Sequence, residues 1–307
     1  MADGFVVGTP RGRPEPGAAP LHSGAMVDRP RVAFQGEPGA FSEEAALTYF
    51  ADPEAVAVPT WRAVFEAVRD DAVDAGVIAI ESSLAGTIRE TYDLLYEFDI
   101  RIVGEVTVPV RLALLALPGQ RIESIQRVYS HPQALAQADE FLRTRGWSVM
   151  TTYNTAGAAR MIVDQDERGA AAIASPRVAE LYGLDVLAEN VQSGDENRTR
   201  FAVLGRNELQ ASWVRPVPTL GPKTTVVFAT PNVPGSLYRC LGVFARRGIN
   251  MSQLESRPSR AARWEYVFWA DLDVAADDAL THQAFDELRT ETAMLRVLGS
   301  YPKAADA

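Results

Sequence analysis

A five-residue polar segment, Asn197-Arg198-Thr199-Arg200-Phe201, carries the residue types of this chain that are best suited to act on an anion. Arginine keeps its charge at any working pH, and its planar guanidinium pairs with a carboxylate through two hydrogen bonds. The hydroxyl of Thr199 can donate one hydrogen bond to a departing oxygen. A polar loop entering a buried strand has the same pattern, because the apolar run 201–204 follows directly. Taken alone, the segment favours that structural interpretation, since short motifs have many chance matches.

The composition limits the class of partner. With 307 residues, of which 47% are hydrophobic, the chain is long enough for two or three packed domains. A formal net charge of −10 argues against a nucleic-acid partner, and an anionic substrate would need a local positive site. The single cysteine, Cys240, excludes a disulfide framework and a zinc site built on several thiolates. We expect it to be a small core residue on a helix.

The N-terminal segment 1–30 is rich in Gly, Pro and Ala and lacks the apolar core of a signal peptide. We interpret it as a disordered tail. No other run is long and apolar enough to span a bilayer, so we expect a cytoplasmic protein with no membrane partner. Met26 lies just before the first strand signal and is a candidate start of translation, which the intact mass of the native protein would test.

From 31 to 206, short β-rich runs alternate with helical patterns, which predicts parallel α/β sheets. Two such cycles, the second at about 112–198, predict two lobes with a ligand cleft between them. Residues 207–223 contain three prolines and predict a linker. The pattern then changes, and residues 224–302 predict the order βαββαβ of a ferredoxin-like domain.

Hydroxyls or glycines occupy four strand-to-helix turns of the front region. Each turn leaves backbone N–H groups at a helix N-terminus, which can bind an anion. If the lobes face each other, the four turns would line one cleft and could hold a compact dianion, although plain capping explains any single turn better. The turns are 36–42, 82–87, 130–132 and 154–155.

Conventional acids and bases are few in this region. His131 is its only histidine, and it could equally cap a helix. Glu81, at the end of a buried apolar run, is a second candidate, although it could instead orient the following loop. The sequence contains no metal-ligand spacing, dinucleotide fingerprint or nucleophile elbow. A reaction without metal or cofactor is therefore expected.

Several longer motifs resemble the monofunctional prephenate dehydratases, which make phenylpyruvate for phenylalanine synthesis, and the C-terminal region resembles an ACT domain, a sensor of amino acids. The resemblance implies an α/β fold with a two-lobed, periplasmic-binding-protein-like catalytic domain (31–206) and a ferredoxin-like βαββαβ ACT domain (224–302). The matching segments, in family order, are 32–36 with Gly39 and Ser42, 76–86, 91–95, 130–137, 197–201, 234–237 and 249–258.

The resemblance also implies the chemistry, in which prephenate loses CO₂ and its ring hydroxyl as the ring becomes aromatic. Thr199 matches the family's catalytic threonine, and we interpret it as a hydrogen-bond donor to the leaving oxygen. Any proton would come from Glu81, His131 or a bound water. At Ser82 the sequence departs from the family, which usually has Asn there. The candidates for substrate binding are Ser82, Ser83, Ser130, Gln137 and Arg200, of which Arg200 could equally form an internal salt bridge.

For the ACT region, the resemblance implies L-phenylalanine as an allosteric effector bound between paired domains, and hence a homodimer or homotetramer. A dimerisation module without ligand is the alternative. Two other functions remain open: an arogenate dehydratase and a non-catalytic amino-acid sensor. The effector-binding candidates are Gly235, Ser236, Leu237, Asn250, Glu255, Ser256 and Arg257.

Overall fold

The computed structural model describes residues 1, 29–194, 197–258 and 266–305. Residues 2–28 of the predicted tail, including the candidate start Met26, lie outside the described residues. Arg29 is described, and it forms an ion pair with Asp52 at 3.0 Å. Among the described residues, no helix is long and apolar enough to cross a membrane.

The first lobe is a mixed sheet with three helices. Its elements are β1 (Arg31–Gln35), α1 (Phe41–Tyr49), β2 (Glu54–Val58), α2 (Trp61–Arg69), β3 (Ala75–Ser82), β4 (Gly86–Thr87), α3 (Arg89–Glu97), β5 (Arg101–Pro109) and, much later in the chain, β11 (Arg198–Gly205). The sheet order is β2-β1-β3-β11-β5, and β4 pairs with β3. The expectation of a purely parallel sheet is wrong here, because β11 runs antiparallel to both of its neighbours.

The second lobe is inserted between β5 and β11. Its elements are β6 (Ala113–Ala116), β7 (Arg127–Ser130), α4 (Pro132–Gln137), α5 (Asp139–Arg143), β8 (Ser148–Thr151), α6 (Thr155–Asp164), β9 (Ala170–Ala174), α7 (Arg177–Tyr182) and β10 (Asp185–Ala188). The sheet order is β10-β6-β9-β7-β8. Strands β7, β8 and β9 are parallel, β6 is antiparallel to β9, and β10 is antiparallel to β6. This sheet is therefore mixed as well, which again corrects the parallel expectation.

Two neighbouring segments carry the chain between the lobes. The outgoing segment follows β5 and the returning one precedes β11, and they are joined where the N–H of Val110 donates to the carbonyl of Asn197 at 2.7 Å. β11 then completes the first sheet between β3 and β5. The return of the chain explains the antiparallel strand, and the arrangement confirms the predicted two-lobed fold class.

The C-terminal domain has the element order β12 (Thr219–Ala229), α8 (Ser236–Ala245), β13 (Met251–Pro258), β14 (Tyr266–Leu272), α9 (Ala279–Glu291) and β15 (Met294–Ala304). This is the predicted βαββαβ order, and its four-stranded sheet, β13-β14-β12-β15, is antiparallel. Cys240 is buried in its core, as expected.

The segment predicted as a linker, 207–223, is structured. Val214 forms a bridge with Phe50 of the first lobe, and β12 already begins at Thr219, where it pairs with Ala304. Prolines are compatible with this strand end because the pairing is irregular there, with a register shift between Thr219 and Pro222.

The C-terminal sheet packs on the first lobe and shares one hydrophobic core with it. Tyr92 of α3 meets Trp269 of β14 edge to face, with ring centroids 5.9 Å apart. Gly299 of β15 lies so close to β5 that a Cβ there would collide with the carbonyl of Ile102. The two domains are therefore in tight contact on the side of the first sheet that carries this core.

Candidate active site

A cleft of about 380 Å³ separates the two lobes. All four turns singled out from the sequence contribute to it, which confirms that they meet in space. The first lobe lines the cleft with Gly36, Ser42, Trp61, Ser82, Glu90 and Thr199 among others, and the second lobe with His131, Gln133, Gln137, Tyr153, Asn154 and Thr155.

Apart from the Glu90 carboxylate and the rings of His131 and Trp61, the polar groups of the cleft are hydroxyls, amides and backbone N–H groups. None of the described residues that line it is a lysine or an arginine. Helix α1 begins at the cleft without a side-chain cap on its N-cap residue, Ala40. The first N–H groups of an uncapped helix, with the positive end of its dipole, stabilise a negative ligand. The cleft can therefore bind anionic groups without a cationic side chain.

Thr199 and Ser82 are adjacent in this cleft. They are register partners on β11 and β3, and both line the cavity. Ser82 is buried, and its Oγ accepts the N–H groups of Leu84 (3.4 Å) and Ala85 (3.3 Å), which hold the turn after β3. We refer to the hydroxyls of Thr199 and Ser82 as the cleft hydroxyls.

An irregularity in β3 determines which side chains enter the cleft. Thr199 pairs with Ser82 and Arg200 with Glu81, but the next residue, Phe201, pairs with Ala79. Ile80 and Glu81 therefore share one position opposite Arg200, a β-bulge that we call the β3 bulge. Strict alternation from the cleft-facing Ala79 would bring Glu81 into the cleft and turn Ser82 away. The bulge reverses that outcome.

Glu81 and Arg200 thus lie on the opposite face of the sheet, which corrects their assignment to catalysis and substrate binding. Arg200 Nη2 lies 2.8 Å from Glu81 Oε2, and its Nη1 lies 2.7 Å from Asp271 Oδ2 and 3.3 Å from Glu105 Oε2. Side chains alternate along a strand, so the neighbour of a cleft-facing Thr199 must face away. The alternative of an internal salt bridge is the one that the structure supports.

These groups belong to an interdomain ion cluster of Glu81, Glu105, Arg200, Lys223 and Asp271, which is buried except at Glu81, whose side chain is 37% exposed. The side chain of Lys223 is only 3% exposed, and its Nζ donates to both carboxylate oxygens of Glu105 at 2.8 Å. Burial disfavours a charge on Asp271, but the attraction of Arg200 and Lys223 outweighs it and holds the pKa of Asp271 below its usual value. The cluster joins β3, β5 and β11 to the C-terminal domain.

Two more predicted substrate contacts do not line the cleft. Ser83 accepts the N–H of Arg198 at 3.0 Å and lies on the same face as Arg200. Ser130 is fully buried, and its Oγ donates to the carbonyl of Ile173 at 2.6 Å. Both assignments are corrected, because these hydroxyls stabilise the backbone of neighbouring strands.

Gln137 does line the cleft, at the end of α4. Its Oε1 accepts from Asn197 Nδ2 at 2.9 Å, which fixes the amide between the two lobes. The N–H groups on its Nε2 are then what Gln137 can offer to a ligand. This residue is suited to donate to an anion.

His131 caps α4 and also lines the cleft. Its Nδ1 accepts the N–H of Gln133 at 3.3 Å, so the neutral ring carries its proton on Nε2. Burial lowers the pKa of His131 below 6.5 and keeps the ring neutral at neutral pH. The structure confirms the cap expected from the sequence, and the role of proton donor stays a prediction from the sequence.

Sequence reasoning missed several aromatic and amide residues of the cleft. Trp61 and Tyr153 lie at the starts of helical segments, and Gln133 follows His131-Pro132 directly. Their places next to the predicted turns are the signal that could have identified them. Chain position alone did not tell which of the turn residues face inward.

A second cavity, of about 370 Å³, lies in the C-terminal domain. Three of the predicted effector residues line it: Gly235, Ser236 and Leu237. Gly235 has a positive φ of 81° at the start of α8, a conformation that favours glycine. The aromatic rings of Tyr266 and Phe268 complete the lining.

The other four predicted effector residues do not line this cavity. Asn250 donates to Asp273 at 2.6 Å, and Ser256 is exposed on β13. Glu255 and Arg257 contact the first lobe, where Glu255 accepts from the Thr87 hydroxyl at 3.2 Å and Arg257 pairs with Asp93 at 3.2 Å. Glu255 and Arg257 face the catalytic part because alternate residues of β13 point toward it.

The fold and the site define a class of protein: a two-lobed α/β domain whose polar cleft is suited to a small anion, docked onto a ferredoxin-like domain. The prephenate dehydratase family model matches residues 32–209. The chain belongs to this family, and its reaction is accordingly that of a dehydratase, a carbon–oxygen lyase.

Similar proteins extend this match over nearly the whole chain. Arogenate dehydratase 1 of Petunia hybrida is 41% identical over 300 residues, which cover 92% of this chain and 68% of the relative. The structure of prephenate dehydratase from Arthrobacter aurescens in complex with L-Phe superimposes with a TM-score of 0.79 at 31% identity, covering 89% of this chain and 90% of that one. GqqA, described as a novel type of quorum quenching acylase, gives a TM-score of 0.78 at 33% identity, covering 89% and 98%.

Proposed function

We propose that the chain converts prephenate to phenylpyruvate, in L-phenylalanine biosynthesis, in the cleft between the lobes. The observation that carries the proposal is the position of Thr199. The threonine of the family motif projects into the cleft beside Ser82, whereas its two arginine neighbours on β11 face the opposite side.

In this reaction, the bond between the ring and its carboxylate breaks, and the electron pair enters the ring as CO₂ leaves. The ring becomes aromatic and expels its hydroxyl, which takes up a proton to leave as water. Aromatisation drives the reaction, so the protein needs only to hold the dianion and stabilise the departing oxygen. A donor placed at that oxygen, here Thr199, contributes on the order of 3 kcal/mol.

We assign the proton to a bound water in exchange with solvent, because Glu81 lies on the other face of the sheet and the neutral ring of His131 is too weak an acid to give up its Nε2 proton. The Nε2–H of His131 contributes a hydrogen bond to the departing oxygen. The carboxylates are met by the N–H groups at the start of α1 and by the amide of Gln137. This division of roles uses only groups that line the cleft.

Arogenate is the second candidate substrate. It carries an ammonium group where prephenate has a ketone, and a carboxylate that could bind this group, Glu90 at the start of α3, lines the cleft. The 41% identical Petunia relative is named an arogenate dehydratase. If arogenate is a substrate, Glu90→Gln should lower kcat/KM for arogenate and leave that for prephenate nearly unchanged.

The deciding experiment incubates the purified full chain with prephenate and, separately, with arogenate. Formation of phenylpyruvate or of phenylalanine identifies the substrate, and Thr199→Val serves as the inactive control. Absence of turnover with both compounds would overturn the proposal and revive the non-catalytic sensor.

For the C-terminal domain, we infer that L-phenylalanine binds the cavity at Gly235, Ser236 and Leu237 and inhibits the enzyme. Backbone N–H groups at the start of α8 suit its carboxylate, and the rings of Tyr266 and Phe268 suit its side chain. The Arthrobacter relative was solved with L-Phe. Isothermal titration with L-phenylalanine, with D-phenylalanine as the control, tests this inference, and equal heats for both would contradict it.

We further propose a homodimer or homotetramer assembled through the C-terminal domains. Tyr238, 80% exposed, and Val233, 54% exposed, leave an apolar rim around the effector cavity. Sedimentation equilibrium of the full chain distinguishes these assemblies from a monomer. The cytoplasmic location stays a prediction from the sequence.

A further inference from the structure

Arg200 occupies a place that neither substrate binding nor catalysis explains. It is the chain neighbour of Thr199, yet its guanidinium lies on the far side of the sheet, where the C-terminal domain docks. Its side chain is 15% exposed and is surrounded by three carboxylates of the interdomain ion cluster. A buried, multiply paired guanidinium is fixed in position, because leaving any of these charges unpaired is costly.

One partner of Arg200 lies within the β3 bulge. Glu81 is the bulged residue opposite Arg200, and its Oε2 accepts from both Nε (3.2 Å) and Nη2 (2.8 Å) of that arginine. This ion pair lies on the face of the sheet turned away from the cleft, whereas the following residue, Ser82, lines the cleft.

The other anchor comes from the C-terminal domain. Asp271 of β14 accepts from Arg200 Nη1 at 2.7 Å, and its second oxygen accepts from the Thr225 hydroxyl at 2.7 Å. Gln253 of β13 also accepts from Arg200. The guanidinium is therefore held between the β3 bulge on one side and the C-terminal sheet on the other.

We propose that Arg200, held by Asp271 of the C-terminal domain, is a positioning residue: it maintains the β3 bulge and thereby keeps the two cleft hydroxyls in place. The proposal rests on the proposed function only for the statement that those hydroxyls serve the dehydration. Turnover then depends specifically on the ion pair between Asp271 and Arg200, and not only on the docking of the C-terminal domain as a whole.

The test compares three variants of the full chain. Asp271→Asn and Glu81→Gln each replace one carboxylate partner of Arg200 by a neutral amide of nearly the same shape. Arg296→Gln is the matched control, since Arg296 makes another interdomain contact, to the carbonyl of Leu95 and the ring of Tyr96 on α3, outside the interdomain ion cluster. Kinetics and hydrogen exchange of the segments 79–83 and 198–201 are measured on all three.

For Asp271→Asn and Glu81→Gln, we expect kcat to fall on the order of tenfold or more, since small displacements of catalytic groups have effects of this size. Hydrogen exchange at 79–83 and 198–201 should become faster in both. Arg296→Gln should keep kcat and the exchange of those segments close to wild type.

Two results would overturn the proposal: wild-type kcat and exchange in Asp271→Asn and Glu81→Gln, or an equal loss in Arg296→Gln, which would show a general docking effect. If the wild-type chain turns over neither prephenate nor arogenate, the proposed function fails. Hydrogen exchange alone then decides whether Arg200 maintains the bulge.

Discussion

Ser82 and Thr199 face each other on adjacent antiparallel strands, and both project into the cleft between the lobes. The two residues are brought together by β11, which returns from the second lobe to the centre of the first sheet. Since one is a candidate substrate contact and the other the candidate catalytic donor, their effects on kinetics should be separable.

Replacing Thr199 by valine keeps the shape of the side chain and removes the hydroxyl. We expect kcat to fall on the order of 10²-fold with little change in KM, because the lost hydrogen bond acts on the departing oxygen. Thr199→Ser keeps the hydroxyl and should retain most of the activity. Steady-state kinetics measures both, and a valine variant with near-normal kcat would rule out the donor role.

Ser82→Ala should raise KM by roughly tenfold, which corresponds to the loss of one hydrogen bond. Ser82→Asn, which restores the residue usual in the family, should bind substrate at least as tightly as wild type, since asparagine offers a donor and an acceptor. The KM values of the two variants check this expectation. If Ser82→Ala binds normally, the cleft-facing hydroxyl has no part in binding.

The stability of the chain should depend on the protonation of His131. Burial lowers the pKa of this residue in the folded state, so folding is favoured fully above the ordinary value of 6.5. As the pH falls from 6.5 through the lowered pKa, the unfolded chain binds the proton first and this stabilisation is lost. Urea unfolding over this range measures the effect, and His131→Asn, which keeps a good N-cap, should flatten the profile. An equally steep profile in that variant would contradict the assignment.

Removing one partner of the buried ion pair between Lys223 and Glu105 should strongly destabilise the fold, because the other charge is then buried without its partner. Glu105→Gln leaves the ammonium of Lys223 buried and poorly paired, and we expect a loss of about 3–5 kcal/mol in the free energy of unfolding. Asp139→Asn, which removes an exposed pair with Arg143, should change it by less than about 1 kcal/mol. Denaturant unfolding of both variants provides the comparison, and similar losses would show that burial is unimportant.

Much of the fold could be predicted because local patterns determine it. The helix at 61–69 is one example: its apolar residues recur at helical spacing in the sequence, and Val64, Phe65 and Val68 are buried on one face. Strand direction was less accessible, since β11 is antiparallel only because the chain comes back from the second lobe. The linker was misjudged because prolines signal a break, whereas 219–223 pair with β15 at the end of the sheet.

The sequence by itself determined the two-lobed fold, the turns that form the cleft, and Thr199 as the catalytic candidate. These follow from short-range periodicity and from motifs whose residues are contiguous. The tertiary structure decided which of the other candidate residues line the cleft and which face away from it. Glu81 leaves the cleft because of a bulge whose ion pair with Arg200 joins residues 119 positions apart, and Asp271 reaches Arg200 from another domain. Such contacts depend on how strands meet across the fold, which no local pattern records.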